Sequence, residues 1–316
     1  MNHKGIELQF HWIFIMVAGA LILTFFTTIA NKQYNIAVQK SEYQLVNNLE
    51  TLFSVALKTP NTVNELRVSS PIEFKCTEYG CKYKVENAEL PFYNKLIFSA
   101  QKQEGDLKLW TLDFEKPFRV ATILLISSSE TKYYLVYSDE TEADKLMSRI
   151  PQGMNVEKIQ KGNEQNIPYS GEKQTRFVYY LTQREQIHNS FNEKNVDAVE
   201  LSQGIVTFYD EDSTSTSSYS QDDASIFAAI FSANKEMYEY QMKKLFKRTA
   251  DVAEVYKKRT ENLLTSTCLY NSAEIQKVID ITTPQEINQF SQLSTQASIL
   301  KTENERIINQ GCPEIY

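Results

Sequence analysis

Residues 132–159 read KYYLVYSDETEADKLMSRIPQGMNVEKI. The stretch opens as a strand over Lys132–Tyr137. The run Ser138-Asp139-Glu140-Thr141-Glu142 then starts a helix that continues to about Arg149, with carboxylates in its first turn, where the positive end of a helix favours them. Val156–Ile159 closes the unit as a second strand. A similar unit follows at once: strand Arg176–Thr182, helix Gln183–Asn192 and strand Val196–Leu201, with a further strand over Ile205–Tyr209. Two strand–helix–strand units in succession predict an α/β (or α+β) domain with a mixed sheet and parallel pairs at its centre.

Upstream the chain is β-rich. Ile72–Cys76, Cys81–Glu86, Lys95–Ser99, Leu107–Phe114 and Phe118–Ser127 read as strands. Val120–Ile126 is nearly all apolar, as in a strand buried on both faces. Residues 160–175 read as an exposed connection. Downstream, residues 210–223 (DEDSTSTSSYSQDD) are polar without period and read as a linker. Beyond it the chain is helical. Phe227, Phe231, Tyr238, Met242, Leu245, Val252, Tyr256 and Leu263 form a heptad-like stripe of coiled-coil type. A shorter helix is expected near Ser272–Ile281. Thr283-Pro284-Gln285-Glu286 has the form of an N-cap, a helix-starting proline and a capping box. The expected C-terminal part, residues 224–316, is an antiparallel helical hairpin.

The N-terminus reads as a membrane anchor. Phe10–Ala30 contains no Asp, Glu, Lys or Arg, and its 21 residues span roughly 30 Å as a helix, the thickness of a bilayer core. A cleaved secretory signal has a shorter apolar core and a small-residue cleavage site, which Asn31-Lys32-Gln33-Tyr34 does not resemble. The expected order is a short interior tail (1–9), a transmembrane helix (10–30), a stalk helix (31–60), the α/β domain (61–209), the linker and the helical hairpin. Flanking positive charge is nearly balanced, so charge leaves orientation open. Lys4-Gly5-Ile6-Glu7 before the apolar helix resembles the processing region of type IV pilin-like precursors, in which a peptidase cuts after the Lys-Gly pair and the apolar helix becomes an assembly spine. The acidic residue stands two positions after the cut here, against five in the bacterial pattern. Lys4 and Gly5 are the candidate processing site.

Four cysteines are present. Cys76 and Cys81 bracket Thr-Glu-Tyr-Gly between alternating runs, which suits a disulfide at the end of a β-hairpin with Gly80 free to take a positive φ. Cys268 and Cys312 then form the other pair, although a straight final helix would leave them about 20 Å out of line, so this pairing requires a bend. A zinc site or free thiols are the alternatives. Paired cysteines and an anchor together favour an oxidising exterior.

Composition excludes several classes. There are 33 Lys and Arg against 40 Asp and Glu, a net charge of −7, which disfavours nucleic acid as a partner. With nine glycines and three histidines, no phosphate-binding glycine loop, nucleophile elbow or histidine metal cluster is present. No cofactor, metal or catalytic residue is expected. His188 reads as a solvated surface residue. Asp113 and Glu115, beside Trp110, are the least unlikely carboxylate pair for hydrolysis, and a surface pair on a sheet is the simpler reading. Asp210, Glu211, Asp212, Asp222 and Asp223 lack the ordered spacing of a calcium loop.

The stretches GIELQFHWIFIMVAGALILTFF, LPFYNKLIFSAQKQEGDLKLWTLDFEKPFRVATILLISS, AAIFSANKEMYEYQMKKLFKR and the terminal CPEIY resemble an uncharacterised group of N-terminally anchored single-pass membrane proteins from small-genome archaea. The resemblance spans most of the chain. It implies an archaeal envelope protein facing outward and brings no activity and no catalytic residue. The expected function is a membrane-anchored, non-enzymatic binding or assembly module. Its expected partners are the lipid bilayer and another envelope protein, or a second copy held through helices. A pilin-like subunit and a carboxylate-based envelope hydrolase are the alternatives.

Overall fold

A computed structural model describes residues 4–167, 174–184, 196–209, 214–219, 222–265 and 267–316. The chain begins with one unbroken helix, α1 (Lys4–Ala56). Within it Trp12–Tyr34 has a mean hydropathy of 2.4 and is nowhere buried, which makes it long and apolar enough to cross a membrane. The same helix then enters the folded body. Val46, Leu49, Phe53 and Ala56 recur at threes and fours and are all buried, each such apolar side chain stabilising by roughly 1.5–3 kcal/mol when large. The apolar span and the buried segment are therefore parts of one continuous helix.

The first sheet contains β1 (Val63–Thr77), β2 (Gly80–Val85), β3 (Ala88–Pro91), β4 (Ile97–Ser99), β5 (Lys102–Glu115) and β6 (Arg119–Ser128), in the order β3-β2-β1-β5-β6-β4. It is antiparallel except for β4, which runs parallel to β6. One face takes the end of α1: Phe53 meets Phe74 and Tyr83, and the Tyr83 hydroxyl donates to the Val46 carbonyl at 3.1 Å. Trp110, Phe114, Ile123 and Leu125 point the other way, into the main core.

The second sheet carries the two predicted units: β7 (Thr131–Tyr137), α2 (Glu140–Met147), β8 (Val156–Gln160), β9 (Gln174–Tyr180), β10 (Val196–Ser202), β11 (Ile205–Tyr209) and β12 (Thr214–Ser218). Its order is β12-β11-β10-β9-β7-β8, with β8, β7, β9 and β10 parallel and β11 and β12 antiparallel. The predicted parallel centre is present. The expected helix over Gln183–Asn192 falls largely outside the described residues, as do His188 and Asp210–Asp212.

The helices that follow are α3 (Asp223–Phe231), α4 (Lys235–Leu263), α5 (Ser272–Thr282) and α6 (Phe290–Asn309). All of Ala224–Phe231 is buried, and α3 touches β4, β5 and β6 of the first sheet and β10 of the second. One cluster unites α2 through α6 with strands of both sheets. A freestanding two-helix hairpin is not seen: α3 lies in the core between the sheets, while α4 packs on α5 and α5 on α6. The residues of the heptad-like stripe lie in or against this core.

Several local expectations change. The polar run at 210–223 contributes a strand, because Thr and Ser of β12 ladder onto β11. Gly80 lies in β2 opposite Thr77 and has no positive φ, since Glu78 and Tyr79 alone make the turn. Thr283 is not an N-cap. It ends α5 in helical geometry with its hydroxyl on the Ile279 carbonyl at 2.7 Å, Gln285 takes φ 57°, and α6 starts only at Phe290.

Candidate functional site

The four cysteines pair as expected. Cys76–Cys81 joins the β1–β2 hairpin, and Cys268–Cys312 joins the α4–α5 connection to the C-terminal segment, with Cα atoms 5.8 Å apart. The required bend exists on both sides. From Leu264 to Asn271 the described residues are not helical, and extended chain covers about 3.3 Å per residue against 1.5 Å in a helix. After α6 the chain reverses at Gly311, with φ 73°. The Tyr270 hydroxyl on the Pro313 carbonyl, at 2.8 Å, holds the closed end. Lys4 and Gly5 lie at the start of α1, and nothing further is described at their side chains.

Of the two carboxylates weighed for hydrolysis, Glu115 ends β5 opposite Arg119, and Asp113 is held by an ion pair. Asp113 accepts from Arg119 Nε at 2.7 Å, from Arg119 Nη2 at 3.0 Å and from Thr122 at 2.9 Å. Three donor atoms from two side chains hold this carboxylate in place on the sheet. Trp110 faces the core between Phe227 and Phe231, away from Asp113, as the strand period requires. Among the described residues no three His, Cys, Asp or Glu gather as a metal site. Asp222 is the N-cap of α3, accepting from the Ser225 amide at 2.9 Å, and Asp223 pairs with Arg149 at 2.8 Å.

The parallel centre of the second sheet changes direction between β7 and β9. Open α/β sheets bind ligands outside the carboxyl ends of their strands at such a point. Here Ser138 and Thr182, just beyond β7 and β9, bond to each other at 2.6 Å. Asp139 caps α2, its carboxylate accepting from the amides of Thr141 (2.8 Å) and Glu142 (3.4 Å). Those are the amides a phosphate would take at a helix N-terminus, while Glu140 pairs with Lys158 at 3.2 Å and Glu142 with Lys145 at 2.6 Å. Asp139 already occupies the amides that an anion would need.

A buried cation shapes the opposite part of the core. Arg176 on β9 is 2% exposed. It makes a two-point bond to Asp197 on β10, 2.6 Å at both oxygens, and donates to the carbonyls of Ile230, Ser232 and Ala233. These carbonyls lie where α3 ends and α4 has not begun. Asn234 then restarts the helix by accepting from the Met237 amide at 3.0 Å.

The described cavities lie side by side along β12. One, of about 420 Å³, is bounded by Thr216–Ser218, by Glu239 and Lys243 of α4, and by Glu286–Asn288. The next, of about 690 Å³, shares Ile205, Ser218 and Asn288 with it and extends to Lys116 and Asp222. Lys116 pairs with Asp222 at 3.3 Å and donates to Ser294 at 2.9 Å. The Gln203-Gly204 turn, with both φ positive, forms a rim. The groove is open, and hydroxyls of Thr216, Ser217, Ser218 and Ser294 line it beside apolar surface. Sequence reading missed it because its walls come from three segments that meet only in the fold.

Compared with known proteins, the chain matches no family model, no curated protein and no solved structure.

Proposed function

We propose that this protein is a membrane-anchored cell-envelope protein whose folded part lies outside the cell and acts as a non-enzymatic binding or assembly module. The observation that carries the reading is α1. A bare apolar span over Trp12–Tyr34 continues without a break into a helix end buried against the first sheet. Only about seven residues, roughly 11 Å of helix, separate the span from Glu42, which is buried and accepts from Asn87 at 3.3 Å. The body thus sits close to the bilayer surface. Two disulfides support an oxidising compartment. The test is protease treatment of intact cells. Digestion of the folded part without lysis is expected, and protection until lysis would reverse the topology.

A second reading, a pilin-like subunit, has one observation in its favour. An unbroken helix with a bare apolar half and a packed half is what an assembly spine requires. Intact-mass analysis of protein from its native membrane decides it. A chain beginning at Ile6 supports processing after Gly5, and an uncut start at Met1 or Asn2 removes the reading.

A further inference from the structure

The four sheet edges differ in how they are closed. β3 has four residues with Glu89 and a terminal Pro91, and β8 carries Glu157 and Lys158. β4 has three residues, all buried, against α3 and α4. Short length, charge, proline and cover are the usual guards against added strands. β12 (TSTSS) has no charge and no proline, and although α4 and the turn at Ile287–Gln289 touch it, Thr214 and Thr216 stay exposed among the described residues.

Its register shows which groups remain available. The Tyr219 amide donates to the Gly204 carbonyl at 2.9 Å, which makes 204/219 a bonded pair. In an antiparallel ladder bonded and non-bonded pairs alternate, so Ile205/Ser218 and Thr207/Thr216 are non-bonded pairs whose backbone groups point away from β11. Ser218 agrees: its carbonyl accepts from the Tyr238 hydroxyl of α4 at 3.0 Å. The N–H and C=O of Thr216 and the N–H of Ser218 face outward, and Thr216 is exposed. They border the 420 Å³ groove. The Ser217 Oγ on its wall is buried without a partner among the described residues. Glu239 and Glu286 set two carboxylates against the single ammonium of Lys243, and the nearest cation to Glu239 is Lys235, at 3.7 Å.

We propose that the free edge of β12 receives an extended peptide segment of a partner protein as an added strand, with a basic side chain set against Glu239 and Glu286. The proposal gives the binding role above a site and rests on that role. An added strand lies about 4.8 Å from β12 and pairs through its backbone, while α4 reads its alternate side chains. A second copy fits less well, because it would set one acidic groove against another.

The test uses the full chain in detergent micelles and a displayed library of random ten-residue peptides. Selected peptides are expected to be rich in Lys and Arg and to bind at least tenfold more weakly to Thr216→Pro. That change removes an outward N–H and no ladder bond. Thr216→Val is expected to bind within twofold of the wild type, and Glu286→Gln several-fold more weakly. N-methylation of a selected peptide is expected to abolish binding at every second position. Selection of no peptide, equal binding to Thr216→Pro while Thr216→Val remains folded, or methylation effects without a period of two would each overturn the proposal. A wild-type dimer that Thr216→Pro dissociates would also overturn it, in favour of self-pairing. The protease experiment on intact cells reads out separately. A folded part found inside the cell would defeat the envelope reading and leave the peptide result standing.

Discussion

Arg176 is the side chain on which most of the local structure depends. It neutralises Asp197 and satisfies three carbonyls that the end of α3 would otherwise leave unpaired. Among the described residues, Arg176→Met leaves Asp197 with only the Gln174 amide at 3.3 Å and removes the Arg176 donors from those carbonyls. Removing one partner of a buried pair costs about 3–5 kcal/mol, and urea unfolding should show a loss of that size. Asp197→Asn, which keeps a hydrogen-bonding shape, should lose less. Lys244 gives a pH signature. It donates to the Lys95 carbonyl at 2.9 Å, and burial, with Arg248 and Lys95 nearby, pulls its pKa down to about 8. A lysine depressed in the folded state costs stability below about pH 8, and that cost fades as pH rises toward 10.5. Tyr209 and Tyr219, pushed up to about 12 chiefly by burial, act in the opposite sense and lose stability above pH 10. Thermal melts should therefore rise between pH 8 and 9.5 and fall beyond 10. In Lys244→Met the rise should vanish while the fall remains.

Among the elements, the two disulfides should differ in weight. Cys76–Cys81 closes a separation of five residues and Cys268–Cys312 one of 44. In the chain-entropy account these correspond to about 2 and about 4 kcal/mol. Denaturant titration of Cys76→Ser/Cys81→Ser and Cys268→Ser/Cys312→Ser double variants should rank them in that order. The hairpin can tolerate its loss because the β1–β2 register also holds it, from Ile72/Val85 to Thr77/Gly80. The C-terminal segment has no strand ladder; it is held by Tyr270 on Pro313, the Ile315 amide on Asn304, the buried Ile315 and the Tyr316 ring against Phe118 and Tyr256. Its release should expose the end of α6.

For the whole molecule, α1 divides into a bare apolar part, long enough to cross a membrane, and a part packed on the first sheet. A chain beginning at Asn35 should be soluble without detergent and keep a cooperative melt, because Val46–Ala56 remains in place. A chain beginning at Thr59 loses those side chains and bares Phe74, Tyr83 and Val85 on the first sheet. It should aggregate or melt without cooperativity, and light scattering with calorimetry separates the two outcomes.

The sequence by itself determined what depends on neighbours along the chain. The membrane-length helix follows from an uncharged apolar run, the strands from alternation, the start of α2 from Asp139 and its acidic first turn, and the parallel centre from two strand–helix–strand units. The hairpin disulfide was legible because five residues enforce proximity. Only the tertiary structure decided what depends on distant partners. Between Ser232 and Asn234 no proline or glycine marks a helix break in sequence, and Asn234 as a cap residue is the single signal there. The break arises because Arg176, more than 50 positions away, takes the carbonyls there. Thr283-Pro284 looks like a helix start, yet Thr283 continues α5 and bonds back to Ile279. The run at 214–218 looks like a linker, since its Thr and Ser carry no apolar pattern, and it becomes a strand only because β11 offers a ladder. The groove beside it was invisible for the same reason: backbone groups and walls from three remote segments define it, and side-chain patterning does not record where an unpaired backbone will lie.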